Sequence, residues 1–102
     1  MKMIIFTVVV LMLVSIAYKP AYSADGKAVF DKVCSFCHKT GKLTAPVFGN
    51  KELWSPRIAK GAKTLYQHAI EGVGMMPAKG GENTLSDDEV KAAVDYIVNE
   101  SK

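Results

Sequence analysis

The sequence has only two cysteines, Cys34 and Cys37, and only two histidines, His38 and His68. A structural zinc site needs a second pair of ligands beside a CxxC pair, and this chain does not supply one. No segment alternates apolar and polar residues as a strand does, and no internal repeat or low-complexity tract occurs. These absences argue against a zinc module or a repeat architecture and favour an all-α fold.

Long apolar runs are also scarce. The one run, over residues 3–17, is shorter than the ~20 residues that a membrane span normally needs. A lysine precedes it, and the small residues Ala21 and Ser23 follow at the −3 and −1 positions of a cleavage site. This pattern predicts a cleaved secretory signal peptide at residues 1–23, with an uncleaved anchor as the alternative, and one small domain at residues 24–102.

Runs of like charge are missing as well. The chain has 13 basic and 10 acidic residues, and two of the basic ones, Lys2 and Lys19, lie in the predicted signal. The remaining residues are therefore close to neutral, with both signs interspersed. We expect no nucleic-acid partner and no charged tail.

The segment Cys34-Ser35-Phe36-Cys37-His38 has the spacing of a c-type haem attachment motif. Residues three and four apart share one face of a helix, so both thiols and the imidazole can reach the same porphyrin. The motif predicts one covalently bound haem c, with Cys34 and Cys37 as thioethers and His38 on the iron. The alternative is a redox dithiol, which expects a preceding strand and a βαβ pattern that this sequence does not show.

Helical signals follow the apolar periodicity and the capping residues. Ser86 and Glu89 form a predicted capping box, and Gly72 is a typical C-terminal glycine. Gly26 lies one turn before Phe30, where the missing side chain would let another helix approach closely. The predicted helices are Asp25–Cys37, Asn50–Trp54 before a break at Pro56, Thr64–Gly72, and a last helix from Ser86 onward.

The loops between these helices are long for so small a domain. Such loops are reasonable if a porphyrin gives them a surface to pack on. The sequence therefore predicts an all-α domain of about four helices with long loops wrapped around one haem.

Beyond the predicted signal, the only methionines are the adjacent Met75 and Met76, between glycines and Pro77. A thioether is a soft neutral ligand that favours ferrous iron and raises the reduction potential, so this pair is a candidate for the sixth iron ligand. Pro77 restricts Met76 to extended geometry, but physical grounds barely separate the two methionines. His68 is the competing ligand.

The chain resembles the class I cytochromes c, and more closely the bacterial cytochrome c5 group. The resemblance covers residues 26–97. It is carried by the haem motif together with Ala45-Pro46-Val47-Phe48-Gly49, Trp54-Ser55-Pro56-Arg57-Ile58, Gly74-Met75-Met76-Pro77-Ala78-Lys79-Gly80-Gly81 and Leu85-Ser86-Asp87-Asp88-Glu89. The order of these segments along the chain is more specific than any one of them.

This resemblance implies several site residues. It makes Met76, immediately before the proline, the distal ligand. It implies that the Pro46 carbonyl accepts a hydrogen bond from His38, which fixes the ring orientation. It also places Trp54 and Arg57 near the haem propionates, with Arg57 as a charge partner.

The resemblance further implies the helix packing. Gly26 and Phe30 are expected to cross the last helix near Ala93 and Tyr96.

The predicted function is one-electron transport without enzymatic activity, because with both axial positions of the iron taken no site is open for a substrate. The predicted signal peptide makes the periplasm the expected compartment. The expected partners are periplasmic or membrane-bound redox proteins, such as a terminal oxidase, a peroxidase, a reductase or a multihaem cytochrome. We expect transient contacts and a monomer. The alternatives are a haem-based ligand sensor or peroxidase-like protein with a labile sixth ligand, and thiol-disulfide exchange by Cys34 and Cys37.

Overall fold

The structure is a computed structural model that describes residues 24–102, so the predicted signal peptide at residues 1–23 lies outside the described residues. Within residues 24–102, all regular structure is helical apart from an isolated bridge between Val73 and Met76. No helix in this part of the chain has the length and hydropathy needed to cross a membrane. The predicted all-α class is confirmed.

The first helical run carries the CxxCH motif. It consists of helix α1 (Gly26–Val29), a π-helical segment (Phe30–Cys34) and helix α2 (Ser35–His38), which follow one another without a break. Asp25 caps the run, so the predicted helix is confirmed to within a residue at each end. The π-helical segment was not predicted, because one extra residue in a turn leaves no mark in the apolar periodicity of so short a helix.

Helix α3 (Lys51–Ile58) begins as predicted but does not end as predicted. The Asn50 side chain accepts a hydrogen bond from the Leu53 N–H at 3.0 Å and caps the helix. The expected break at Pro56 is wrong, because the helix continues through it to Ile58. Proline removes only the hydrogen bond to the carbonyl of Glu52, and this residue is exposed, so water can bond the carbonyl instead.

Helix α4 (Ala62–Glu71) begins two residues before its predicted start at Thr64 and ends as predicted. Gly72 follows it with φ 91°, a left-handed conformation that glycine adopts at little cost.

Helix α5 (Asp87–Glu100) has the capping box that the sequence predicts. The Ser86 hydroxyl accepts from the Glu89 N–H at 3.1 Å, and the Glu89 carboxylate accepts from the Ser86 N–H at 2.9 Å. The hydrogen bond from the Ser86 backbone holds the pKa of Glu89 below its usual value, because it stabilises the ionised carboxylate. The start of this helix is therefore fixed by local sequence.

Gly26 lies where the first helical run meets α5. A Cβ atom on it would lie 2.1 Å from the Ala92 carbonyl oxygen and 3.2 Å from the Tyr96 Cβ. The close helix approach predicted from the sequence is confirmed, and the crossing lies at Ala92 and Tyr96. Only glycine permits this approach of the two backbones.

The core consists of two clusters of buried side chains, both of which join the first helical run to α5. Phe30 is only 1% exposed and packs its ring against Phe48 at a centroid distance of 4.7 Å. The first cluster contains Val29, Ala69, Leu85, Val90 and Ala93, and the second contains Phe30, Trp54 and Ile97.

Candidate haem site

A cavity of about 510 Å³ lies among the helices and long loops, and its volume is within the range of sites that enclose a cofactor-sized molecule. Its wall is mostly apolar and includes side chains from both core clusters. Every metal-ligating residue predicted from the sequence lines it: Cys34, Cys37, His38, Met75, Met76 and His68. An apolar cavity with two thiols, two imidazoles and two thioethers fits a covalently attached haem.

Cys34 ends the π-helical segment, and Cys37 lies in α2. Both thiols are free and half-buried. Burial raises the pKa of the Cys34 thiol to about 11, because a thiolate is poorly solvated there. A thiol that stays protonated is a weak nucleophile toward disulfides, so Cys34 is poorly suited to start thiol-disulfide exchange.

The imidazole of His38 is buried and oriented by the backbone. Its Nδ1 lies 2.9 Å from the Pro46 carbonyl oxygen, the contact that the resemblance implied. With the proton on Nδ1 donated to this carbonyl, Nε2 is left as the metal-binding nitrogen. Burial lowers the pKa of His38, and the neutral imidazole thus favoured is the form that binds a metal.

The segment after Pro46 is held at successive residues. The Phe48 N–H donates to the His38 carbonyl at 2.6 Å, and the Trp54 indole N–H donates to the Val47 carbonyl at 3.0 Å. The Trp54 ring lies 5.8 Å from the His38 ring, centroid to centroid. Trp54 is therefore both a buried core residue and a support for the histidine.

Ser101 completes this support from the far end of the chain. It is 1% exposed, and its hydroxyl accepts a hydrogen bond from the Gly49 N–H at 2.9 Å. The role of Ser101 was not predicted, because nothing local marks a serine just after a helix as the partner of a loop some fifty positions earlier.

Replacing Ser101 with alanine is expected to lower the free energy of unfolding by about 1 kcal/mol, because the hydrogen bond between the buried Ser101 hydroxyl and the Gly49 N–H is lost. Guanidinium unfolding of the haem-loaded protein measures the change. Ser55→Ala is the matched control at an exposed position and should leave the stability nearly unchanged. Equal stability of the two variants would show that the Ser101 hydrogen bond contributes nothing.

The two methionines differ in environment. Met75 is 60% exposed, whereas Met76 is half-buried and packs against the first core cluster. Val73 and Met76 exchange backbone hydrogen bonds of 3.0 and 2.9 Å, which fix the backbone of Met76. This geometry favours Met76 over Met75 as the thioether that faces the cofactor, in agreement with the family resemblance, whereas physical grounds from the sequence barely separate the two.

His68, the competing ligand, is half-buried on α4 and lines the same cavity. His68 lies within the regular helix α4, whereas Met76 lies in a loop whose backbone is held by hydrogen bonds with Val73.

The charged residues at the cavity are all basic: Lys42, Arg57, Lys60 and Lys79 line it, and no acidic residue of the described chain does. Arg57 also donates to the Leu53 carbonyl at 2.6 Å, which holds its guanidinium along α3. A cavity with only basic charges suits an anionic cofactor such as a porphyrin with carboxylate substituents. Of these four residues, only Arg57 was expected to act as a charge partner of the haem.

An all-α domain of this size, with a CxxCH motif and a methionine thioether at one apolar cavity, defines the class of small monohaem c-type cytochromes.

Comparisons with known proteins agree with this class. Residues 21–97 match the family described as cytochrome c oxidase, cbb3-type, subunit III. The chain is 50% identical over 84 residues to a cytochrome c-555 of Chlorobaculum tepidum, covering 78% of each chain. It is 42% identical over 72 residues to a cytochrome c5 of Azotobacter vinelandii, covering 69% of this chain and 87% of that one. This protein therefore belongs to the class I c-type cytochromes, as predicted, and its cofactor is one covalently bound haem c with its iron.

Solved structures show the same fold. A chain in the crystal structure of the electron-transfer complex of nitrite reductase with cytochrome c superposes with a TM-score of 0.73 at 32% identity, covering 76% of this chain and 95% of that one. A monohaem ferrocytochrome c from Shewanella putrefaciens gives a TM-score of 0.65 at 33% identity over the same shares. The small class I cytochrome c fold is confirmed.

Proposed function

We propose that this protein carries single electrons between redox partners, with haem attached through Cys34 and Cys37 and its iron bound by His38 and Met76. The observation that supports this most is the position of Met76, half-buried at the cavity that the CxxCH motif also lines. With both axial positions taken, no site is left for a substrate, and the protein is a carrier rather than an enzyme.

The haem supplies a one-electron couple of its iron when bound, and the protein's residues set the conditions for it. The Pro46 carbonyl orients His38 and strengthens it as a ligand. The apolar wall lowers the polarity around the haem, and this burial is one of the properties that set its reduction potential. The thioether of Met76 favours the reduced state and raises the potential.

Partners are proposed to dock at the apolar edge, which we define as Phe36, Leu43, Val73 and Met75. All four side chains line the cavity and are 45% to 67% exposed. The Lys42 ammonium lies 4.3 Å from the centre of the Phe36 ring, so a positive charge stands beside this apolar surface. An exposed apolar patch with basic residues suits a brief encounter with a redox protein whose own docking surface is acidic.

Charge reversal at Lys42 is expected to slow oxidation of the reduced protein by hexacyanoferrate(III). This oxidant is an anion, so its rate reports the electrostatic potential at the apolar edge. We expect the Lys42→Glu variant to react about threefold to tenfold more slowly at low ionic strength, with the difference largely lost at high salt. Stopped-flow kinetics at several salt concentrations measure it.

Lys63→Glu is the matched control. It makes the same change in net charge at an exposed lysine that does not line the cavity. Equal slowing in both variants would mean that net charge, and not the apolar edge, governs the encounter.

We also propose that the protein is exported to the periplasm after cleavage of residues 1–23, and that its partners are periplasmic or membrane-bound redox proteins. The nitrite reductase complex among the similar structures shows that a protein of this fold meets a redox enzyme directly. Intact-mass measurement of the exported protein tests cleavage, which should leave a chain that starts at Ala24. A mass that includes residues 1–23 would instead indicate a retained anchor.

The absorption spectrum of the reduced protein, with its pyridine haemochrome, tests the proposed function as a whole. We expect the spectrum of a haem attached to the protein through two cysteine thioether bonds. We also expect the reduced protein to react slowly with carbon monoxide. Rapid carbon monoxide binding would favour a ligand sensor or a peroxidase-like protein. Free thiols and no haem would favour thiol-disulfide exchange.

A further inference from the structure

The side chain of Lys79 is half-buried and packs more closely against the protein than a typical surface lysine. Its ammonium donates to the Leu85 carbonyl at 2.6 Å and lies 3.2 Å from the Asp87 carboxylate. The side chain is 21% exposed, whereas that of Lys27, which also forms an ion pair, is 65% exposed. Lysine usually keeps its charged end in water, so this inward attachment indicates a specific role.

The backbone at Lys79 supports the same conclusion. Its φ of 55° and ψ of 29° lie in the left-handed region, which disfavours any residue with a Cβ atom. Glycine would occupy this position without strain, as Gly80 does next to it with φ 63°. The strain at Lys79 persists because its side chain bonds to the start of α5.

This attachment fixes the segment that carries Met76. The backbone of Met76 is bonded to Val73 on one side, and Pro77 restricts it on the other. The Pro77 carbonyl accepts from the Gly80 N–H at 3.0 Å, which closes a turn around Lys79. The Lys79 ammonium then ties this turn to α5.

We propose that Lys79 is a positioning residue for Met76, and that its bonds to Leu85 and Asp87 keep the thioether at the iron. This inference rests on the proposed function, in which Met76 is the axial ligand. When the tie is lost, the segment opens more often, and an external ligand reaches the sixth position more easily.

The test is carbon monoxide binding to the reduced, haem-loaded protein. Lys79→Gln should bind carbon monoxide about tenfold faster than the unmodified protein, a factor typical of losing one charge-assisted hydrogen bond. Lys79→Arg keeps the charge and the donors and should restore a slow rate. Asp87→Asn, which removes only the ion pair, should give a smaller increase. Lys27→Gln is the control at an exposed ion pair and should leave the rate unchanged.

A second measurement does not depend on external ligands. Lys79→Gln should speed hydrogen exchange at the Met76 amide, which is bonded to the Val73 carbonyl, without a matching change at amides in the middle of α5. A residue that only stabilised the fold would lower the melting temperature and leave both readouts unchanged well below it.

The outcomes separate this inference from the proposed function. If Met76→Ala opens the iron to carbon monoxide and Lys79→Gln does not, the positioning role is wrong and the ligand assignment stands. If Met76→Ala leaves carbon monoxide binding unchanged, the ligand assignment fails and the positioning role fails with it.

Discussion

Replacing Met76 with alanine is expected to lower the reduction potential and to let carbon monoxide bind rapidly to the reduced iron. Loss of the thioether removes the ligand that favours ferrous iron, so the drop should be on the order of 0.1 V or more, within the ~0.8 V range that axial ligands set across haem proteins. Redox titration measures the potential, and flash photolysis or stopped-flow mixing measures carbon monoxide binding.

Met75→Ala is the matched control for this experiment. The two methionines are neighbours, but Met75 is 60% exposed while Met76 packs against the first core cluster. The Met75→Ala variant should keep the reduction potential of the unmodified protein and its slow reaction with carbon monoxide. If Met75→Ala lowered the potential and sped carbon monoxide binding while Met76→Ala did not, the ligand would be Met75. If carbon monoxide binding stayed slow in both variants, His68, which lines the same cavity, would be the candidate ligand.

Replacing Gly26 with alanine is expected to cost about 3 kcal/mol of unfolding free energy, as in an overpacked core. The new Cβ would lie 2.1 Å from the Ala92 carbonyl oxygen, so the first helical run and α5 must move apart. Alanine is the better helix former by about 1 kcal/mol, so a net loss would show that the helix contact outweighs propensity. Guanidinium unfolding of the haem-loaded protein gives the value.

Lys27→Ala is the control for helix propensity next to this position. Lys27 is exposed and bonds only Asp31, one turn further along the same helical run. Its replacement should change the stability much less than that of Gly26. If Gly26→Ala were as stable as this control, the close approach of the two backbones would not contribute to the fold.

The parts of the fold that sequence predicts well are those set by neighbouring residues. The capping box of Ser86 and Glu89 and the terminal glycine at Gly72 are local devices, and the structure contains both. Gly26 was predictable for a different reason. A glycine within a helical stripe of larger apolar residues is costly unless something packs closely against it.

The parts that sequence does not predict depend on contacts between distant segments or on solvent. Pro56 was expected to break a helix, but the carbonyl that it leaves without a partner belongs to the exposed Glu52, where solvent can reach it. The partner of Ser101 lies in a distant loop, and the attachment of Lys79 depends on how one turn packs against α5. None of these three features produces a periodicity or a spacing that can be recognised in the sequence.

The candidate site follows the same division. The spacing of Cys34, Cys37 and His38 is a local property of a helix, so the sequence alone predicts it. Physical reasoning from the sequence does not separate Met75 from Met76. The family resemblance implies Met76, and the fold adds that its side chain packs against the core. The basic residues at the cavity are scattered along the sequence and come together only in the fold.

The π-helical segment Phe30–Cys34 joins two parts of the first helical run that have different roles, one in packing against α5 and one at the cavity. Before it, Gly26 packs against α5; Cys34 at its end, with Cys37 and His38 in α2, lines the cavity. Each residue turns an α-helix by about 100°, so one additional residue rotates the motif by roughly that angle relative to the packing face. The direction in which the cofactor is held therefore depends on the number of residues in this turn.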